Sequence, residues 1–365
     1  MRRHGRWIFL VAGLVVVLLA PAAARCWRAR GLLRSLAAAP AEPTAEVRTE
    51  EVSIPGRHKA IRGRLYWRAD GTGREGLVVA HGVHHQGIDE KRLVPFARAL
   101  ALSGLVVLTP ALDDLADYRI DTRSVGELAD SVVYLSRRTD LVEGRVGLLG
   151  FSFGGGLALL AAGEPLLHER VSHVVSIGGY HDLGRVLRFF LTGVAETPEG
   201  PVPGHPHEYG PLVLLYRHLD RLVPAVDHQP LREVVRAWLR EEFPRARMLA
   251  RGLSSAEARS LFALIDGHAL DRLRPRLEAL LDADAGALET LSPRNKLARI
   301  EAPVYLLHGA GDTVIPASEV RWAGAELGQR EHLALISPLL EHVEVSHQAA
   351  LGDELDLLLF MSRAL

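Results

Sequence analysis

Residues Arg145–Gly156 read Arg-Val-Gly-Leu-Leu-Gly-Phe-Ser-Phe-Gly-Gly-Gly. Val146 to Leu149 is an apolar run, Gly150-Phe151-Ser152-Phe153-Gly154 has the form G-x-S-x-G, and Leu157–Ala162 is rich in Ala and Leu. This order predicts a strand, a sharp turn with a serine at its apex, and a helix. In such a turn a Cβ at either glycine collides with neighbouring backbone, and the strained apex lifts the hydroxyl above the sheet. Ser152 is therefore the candidate nucleophile, provided the chain also supplies a base, an acid and an oxyanion hole. Taken alone, the motif fits a Gly-rich turn with an incidental serine just as well.

Upstream, Glu51–Ile54 and Ala60–Trp67 flank Pro55-Gly56 and predict an antiparallel strand pair. Leu77–Ala80, ending in His81-Gly82, and Leu105–Leu108, ending in Thr109-Pro110, are short continuous apolar runs, as expected of strands buried on both faces. A helix is predicted from Gly87–Asp89 to about Leu102, and another over Asp121–Arg138, where Val125, Leu128, Val132 and Leu135 recur at spacings of 3 and 4. Val171–Ile177 is the next strand. Strands alternating with helices indicate a mostly parallel α/β sheet flanked by helices.

The alternation stops at Tyr180. From there to about Thr290 no strand is predicted, and amphipathic pieces follow one another: Leu183–Leu191, Leu212–Leu222, Leu231–Glu241, Ser255–Ile265 and Asp271–Ala283. Pro and Gly cluster over Thr197–Pro211 and predict a loop. Residues 180–290 are thus expected to be a helical cap inserted into the sheet domain. Leu187, Phe189, Phe190, Leu191, Leu214, Leu215 and Tyr216 would either line its underside or pack inside it. The alternation resumes with Pro303–Leu307, a helix near Ala317–Leu327, the strand His332–Ile336 and a terminal helix over Leu351–Ala364.

Composition limits the rest. A formal net charge of −1 gives no electrostatic reason to expect a nucleic-acid partner. The single cysteine, Cys26, excludes an intramolecular disulfide framework and a cysteine-based metal cluster. Arg2, Arg3 and Arg6 precede Trp7–Ala24, an uncharged and mostly apolar stretch. As a helix it would span about 27 Å, close to a bilayer core. Two readings compete for 1–24: an uncleaved transmembrane anchor, or a signal peptide cleaved near Ala22-Ala23-Ala24, which would leave a secreted or periplasmic protein. Arg25, Arg28, Arg30 and Arg34 follow at once and favour the membrane anchor. Positive charge on both sides leaves its orientation open. Residues 25–46 read as a linker, and 47–365 as the α/β domain.

A serine nucleophile requires a base to take its proton and an acid to hold that base. Each is expected in a loop at a strand's carboxyl end. Asp312 follows Pro303–Leu307 in the Gly-rich stretch His308-Gly309-Ala310-Gly311-Asp312 and is the candidate acid; as an isolated residue it would read as a helix cap. Three histidines lie downstream. His332 opens a strand and is expected to be structural, whereas His342, after Ser337-Pro338, is the candidate base, with His347 as the alternative. Phe153, the residue after the nucleophile, and Val83, in the loop after Leu77–Ala80, are the candidate oxyanion-hole donors. His84 and His85 would line the pocket or be solvated. Asp182 is a weaker candidate acid, and fits better as the N-terminal residue of a helix.

Together Ala80-His81-Gly82, Gly150-Phe151-Ser152-Phe153-Gly154, His308-Gly309-Ala310-Gly311-Asp312 and Ser337-Pro338-Leu339-Leu340-Glu341-His342 resemble the α/β-hydrolase superfamily, most closely its capped carboxylesterase-like and dienelactone-hydrolase-like members. The resemblance spans about residues 50–365 outside the cap. It implies a serine hydrolase that cleaves small-molecule carboxylic esters through an acyl-enzyme, with no metal and no organic cofactor. Dienelactone hydrolases proper use a cysteine where Ser152 stands. An acyltransferase on the same triad, or a non-catalytic binding protein with the same fold, are the alternatives.

Overall fold

The continuous apolar runs form the middle of one eight-stranded sheet. A computed structural model describes residue 31 and residues 46–364 except 74, 139–140, 142–143, 342–343 and 346–350. The strands of the sheet are β1 (Val47–Ile54), β2 (Ile61–Arg68), β3 (Glu75–Ala80), β4 (Leu105–Pro110), β5 (Val146–Phe151), β6 (Val171–Ile177), β9 (Val304–Gly309) and β10 (His332–Ser337). Their spatial order is β1-β2-β4-β3-β5-β6-β9-β10. β2 pairs antiparallel with both β1 and β4, and the other pairings are parallel. A mostly parallel sheet with its second strand reversed is the α/β-hydrolase arrangement. The antiparallel lead-in pair expected around Pro55-Gly56 is β1–β2.

Alternation along each strand divides the core between two faces. Val78 and Ala80 of β3 pack with Leu148 of β5 under α2 (Thr122–Ser136) and α3 (Phe153–Ala162). Leu77, Val79 and Leu149 point the other way, towards α1 (Leu93–Leu102) and the C-terminal helix Leu351–Ala364. Burial on both faces removes the polar positions that a half-exposed strand would show. The sequence therefore reads as unbroken apolar runs.

Between β6 and β9 the chain is mainly helical: α4 (Leu183–Thr192), α5 (Gly210–Arg217), α6 (His228–Leu239), α7 (Phe243–Ala250), α8 (Ala256–Asp266), α9 (Arg274–Ala283) and α10 (Ala285–Thr290). It is not wholly helical, which corrects the expectation of no strand after Tyr180. β7 (Val194–Thr197) and β8 (Gly200–Pro203) form a short antiparallel hairpin. Gly193 ends α4 in the left-handed region, at φ +67°, and Gly200 turns the hairpin at φ +123°. The prolines in and around β8 hide strand alternation from the sequence, so the segment reads as loop. Leu187, Phe189, Phe190, Leu191, Leu214, Leu215 and Tyr216 are all buried in the continuous core, so they serve packing. After β9, α11 (Ser318–Leu327) and α12 (Leu351–Ala364) close the fold on opposite faces of β10.

The stretch 7–24 lies outside the described residues, and so do all but residues 31 and 46 of the linker. Among the described residues, no helix is long and apolar enough to cross a membrane.

Candidate active site

Ser152 sits where β5 turns into α3, at φ 52° and ψ −130°. A side chain held in this conformation costs about 1–3 kcal/mol, so its surroundings must impose it. Two backbone bonds do so. The Ser152 N–H donates to the Ile177 carbonyl at the end of β6 (2.8 Å), and the Gly155 N–H donates to the Ser152 carbonyl (2.8 Å). The glycines make the turn possible by close approach. A Cβ on Gly150 would overlap the Gly154 carbonyl, and a Cβ on Gly154 would overlap the carbonyl oxygen of His81. On Gly155 it would lie 2.6 Å from the Ser176 hydroxyl. The turn at Ser152 is thus wedged against the loop after β3. Ser152 itself is only 5% exposed.

That loop begins at His81, which is buried and braces it. The ring Nδ1 lies 2.7 Å from the Gly82 carbonyl oxygen, an acceptor, so Nδ1 carries the proton. Nε2 then accepts the Leu112 N–H from the loop after β4 (3.1 Å). Burial pulls the imidazole pKa down to about 4, which keeps the ring in this neutral form. The peptide between Gly82 and Val83 is trans and planar, so a Gly82 carbonyl turned towards His81 sends the Val83 N–H the opposite way. Gly82 also abuts Ser152: a Cβ there would stand 3.2 Å from the Ser152 Cβ and 3.8 Å from its Oγ. The Phe153 N–H belongs to the first turn of α3, where N–H groups have no intrahelical acceptor and the helix dipole is positive.

Asp312 follows β9, with a fully buried side chain. Oδ1 accepts the N–H groups of Val314 (2.8 Å) and Ile315 (2.9 Å). Oδ2 lies 3.1 Å from Nε2 of His308, which is also 2.8 Å from the Ile315 carbonyl. The carboxylate and the carbonyl are both acceptors, so the His308 proton sits on Nε2 and is shared between them. His308 had no role in the sequence reading; its spacing of four residues from Asp312 in a Gly-rich loop is the only signal for it.

His342 and His347 lie outside the described residues. The other candidates have clear places. His332 opens β10 with Nδ1 near the Arg330 carbonyl (2.9 Å), as expected of a structural residue. Asp182 caps α4: Oδ1 accepts the Arg185 N–H (3.0 Å) and Oδ2 pairs with Arg294 (3.0 Å). The rings of His84 and His85 are 4.6 Å apart and partly buried, and burial lowers the pKa of both.

Two tyrosines that the sequence did not single out connect the inserted helices to this end of the sheet. Tyr118, after β4, takes φ +59°, and its hydroxyl donates to the Leu239 carbonyl of α6 (3.0 Å). Burial raises its phenol pKa to about 12. Tyr209, just before α5, has its phenol pKa raised by burial and then by the charge of Asp312. The insertion therefore reaches across the carboxyl ends of β4 and β9. Among the described residues, no group of three or more His, Cys, Asp or Glu is placed to hold a metal.

No family model matches this chain, and no curated protein matches it. Solved structures with a similar fold include an esterase of Pyrobaculum calidifontis, at 18% identity over 87% of this chain and 83% of that one, with a TM-score of 0.44. Another is a putative dienelactone hydrolase of Klebsiella pneumoniae (13% identity, 87% and 99% covered, TM-score 0.45). A third is a dienelactone hydrolase of Anabaena variabilis (16%, 87% and 96%, 0.44). These likenesses add no weight to the fold, which the strand order carries by itself.

Proposed function

We propose that this chain is a serine hydrolase of carboxylic esters. The observation that carries the reading is the backbone of Ser152: a non-glycine residue at φ 52°, at the carboxyl end of a central parallel strand, with Gly82 packed against its Cβ. Strain of this kind persists where the surrounding structure imposes it, and it clusters at catalytic turns.

Ser152 Oγ attacks the ester carbonyl carbon while His342, or His347 in its stead, takes the hydroxyl proton. The Val83 and Phe153 N–H groups hold the resulting oxyanion. Collapse breaks the carbon–alkoxy bond, and the histidine returns its proton to the departing alcohol. Water, deprotonated by the same histidine, then attacks the acyl-enzyme and releases the acid and free Ser152. Asp312 stabilises the imidazolium formed in each half-reaction, and it is held for that task by His308 and two backbone N–H groups. The cap, residues 180–290, would select the substrate. The stretch 7–24 would hold the enzyme at a membrane.

A fluorophosphonate probe tests this directly. The adduct is expected on Ser152 of the folded chain and absent from Ser152→Ala; no adduct in folded protein would sink the reading. His342→Ala is expected to abolish ester turnover and His347→Ala to leave most of it, and the reverse result moves the base to His347. Carbonate extraction tests the anchor: the full chain should remain with the membrane pellet.

A further inference from the structure

α6 ends where the inserted helices meet the loop after β3. The Tyr118 hydroxyl donates to the Leu239 carbonyl and also meets the His85 N–H, so the last turn of α6 is tied to that loop two residues beyond Val83. Arg240 follows. Glu241, next to it, is a non-glycine residue at φ +60°, and the Glu241 and Glu242 N–H groups donate back to the carbonyls of Trp238 and Ala237 (both 2.9 Å). A strained turn closed in this way fixes the direction in which Arg240 leaves the helix. Arg240 is partly buried, with its Nε shut off from solvent and without an acceptor. The other partly buried arginines of residues 180–290 each face a carboxylate: Arg185 has Glu319, Arg217 has Asp284, Arg232 has Asp220 and Arg236 has Asp117. The Arg240 side chain has no ion pair or hydrogen bond among the described residues. Glu242 is taken by Arg245 (2.7 Å), and Glu241 is exposed and makes no ion pair with Arg240.

We infer that Arg240 is an anion-binding residue of the substrate pocket, and that the ester this protein cleaves carries a carboxylate, phosphate or sulfonate at the end that lies under α6. The inference rests on the ester-hydrolase reading. A guanidinium keeps its proton at any working pH, so an unpaired one beneath inserted helices is a standing positive charge with its planar donors unused. Partial burial of that charge without a partner is unfavourable, and an arriving anion relieves it. The fork of N–H groups meets two oxygens of such an anion at once. His85 lies within reach of the same charge: burial, and then Arg240, lower its imidazole pKa, so the ring is neutral at neutral pH. An anion held by Arg240 therefore anchors the substrate beside the loop that carries Val83. The acyl part or the alcohol part of the ester can bring the charged group, and the two are separated by the test.

Matched esters test this on the full chain in mild detergent. In the acyl arm, the para-nitrophenyl ester of adipate is compared with that of adipamate, in which a neutral amide of the same shape replaces the free carboxylate. In the alcohol arm, the butyrate esters of para-hydroxybenzoate and para-hydroxybenzamide are compared. In one arm kcat/KM is expected to favour the anionic ester, and Arg240→Gln should lower that preference about 10- to 100-fold, the range for a hydrogen bond to a charged group. The arm in which it falls identifies the part of the ester that Arg240 holds. Arg240→Lys, which keeps the charge and loses the planar fork, should restore part of the preference. Calorimetry of adipate and para-hydroxybenzoate on folded Ser152→Ala reads the same subsite without turnover: one of the two should bind, and Arg240→Gln in that background should weaken it by a similar factor. Equal kcat/KM within both pairs, or a preference that Arg240→Gln leaves intact, would overturn the inference while a probe adduct on Ser152 keeps the hydrolase reading standing. Where no ester turns over and no adduct forms, the hydrolase reading falls, and the binding measurement alone decides Arg240.

Discussion

Nε2 of His308 lies 3.1 Å from Oδ2 of Asp312, and both side chains are fully buried. A carboxylate removed from water keeps its charge only where donors replace that water, and Asp312 has backbone N–H groups on one oxygen and an imidazole on the other. His308→Ala should therefore destabilise the protein by about 1.5–3 kcal/mol, the range for a bond to a charged group. Chemical denaturation measures it. Asp312→Asn should preserve the fold and lower kcat for a chromogenic ester by about 10³–10⁴-fold, through loss of the base's orientation. Retention of more than about a tenth of the wild-type kcat would remove Asp312 from the proposed triad.

The turn at Ser152 should tolerate no side chain at its contact glycines. Gly154→Ala drives a methyl into the His81 carbonyl, which belongs to rigid backbone. A loss of about 1–3 kcal/mol, the usual cost of overpacking, is expected in thermal unfolding, with slower probe labelling of whatever remains folded. Gly82→Val is the complementary case. Its side chain would stand beside Ser152 Oγ, so kcat/KM should fall much more than stability does.

Acid should weaken the fold through its buried histidines. Burial lowers His81, His173 and His218 each to about 4 from an ordinary value of 6.5. A depressed basic group favours the folded state while it is neutral, so its contribution is intact above pH 6.5 and is lost progressively down to pH 4. For His81, the most deeply buried of the three, the loss is about 3 kcal/mol. Melting temperature should therefore fall steeply between pH 6.5 and 4, and His173→Asn should flatten that slope. Glu127 runs the other way. Burial raises its carboxyl to about 7, so its contribution is present below pH 4.5 and lost as pH rises through 7. Glu127→Gln should raise the melting temperature at pH 8 and leave it nearly unchanged at pH 4.5.

The inserted helices are tied to the sheet by Asp117, which receives Arg236 Nε (2.6 Å) and Nη2 (3.0 Å) and the Tyr216 hydroxyl (3.1 Å). Asp117→Ala leaves Arg236 partly buried without its counter-charge. A loss of about 1–3 kcal/mol is expected, below the value for a fully buried pair because both groups keep some solvent. Limited proteolysis should then cut within residues 180–290 sooner than in the wild type. Tyr118→Phe, which removes the bond to Leu239, should shift KM with little change in melting temperature.

Most of the sheet was legible because strands buried on both faces are apolar throughout, as Leu77–Ala80 and Leu105–Leu108 are. The β7–β8 hairpin was not, because prolines in and around β8 suppress alternation and the turn depends on the φ of Gly200. The turn at Ser152 and the Gly-rich loop that carries Asp312 were legible from motif and order. His308 and the bracing role of His81 were not, since a histidine's neighbours depend on which loops the fold brings together.

By itself, the sequence determined that the Arg145–Gly156 stretch forms a strand, a tight turn and a helix. Local sterics decide that much at position 150, where a Cβ would overlap the Gly154 carbonyl; position 154 is closed instead by the His81 carbonyl of a separate loop. Tertiary structure decided what surrounds the serine. The His81 ring joins the loops after β3 and β4, Gly82 lies against the Ser152 Cβ, and His308 fixes one oxygen of Asp312. The first two contacts join residues from separate strands, and the pairing of the sheet sets their distances; the third closes between the end of β9 and the loop after it.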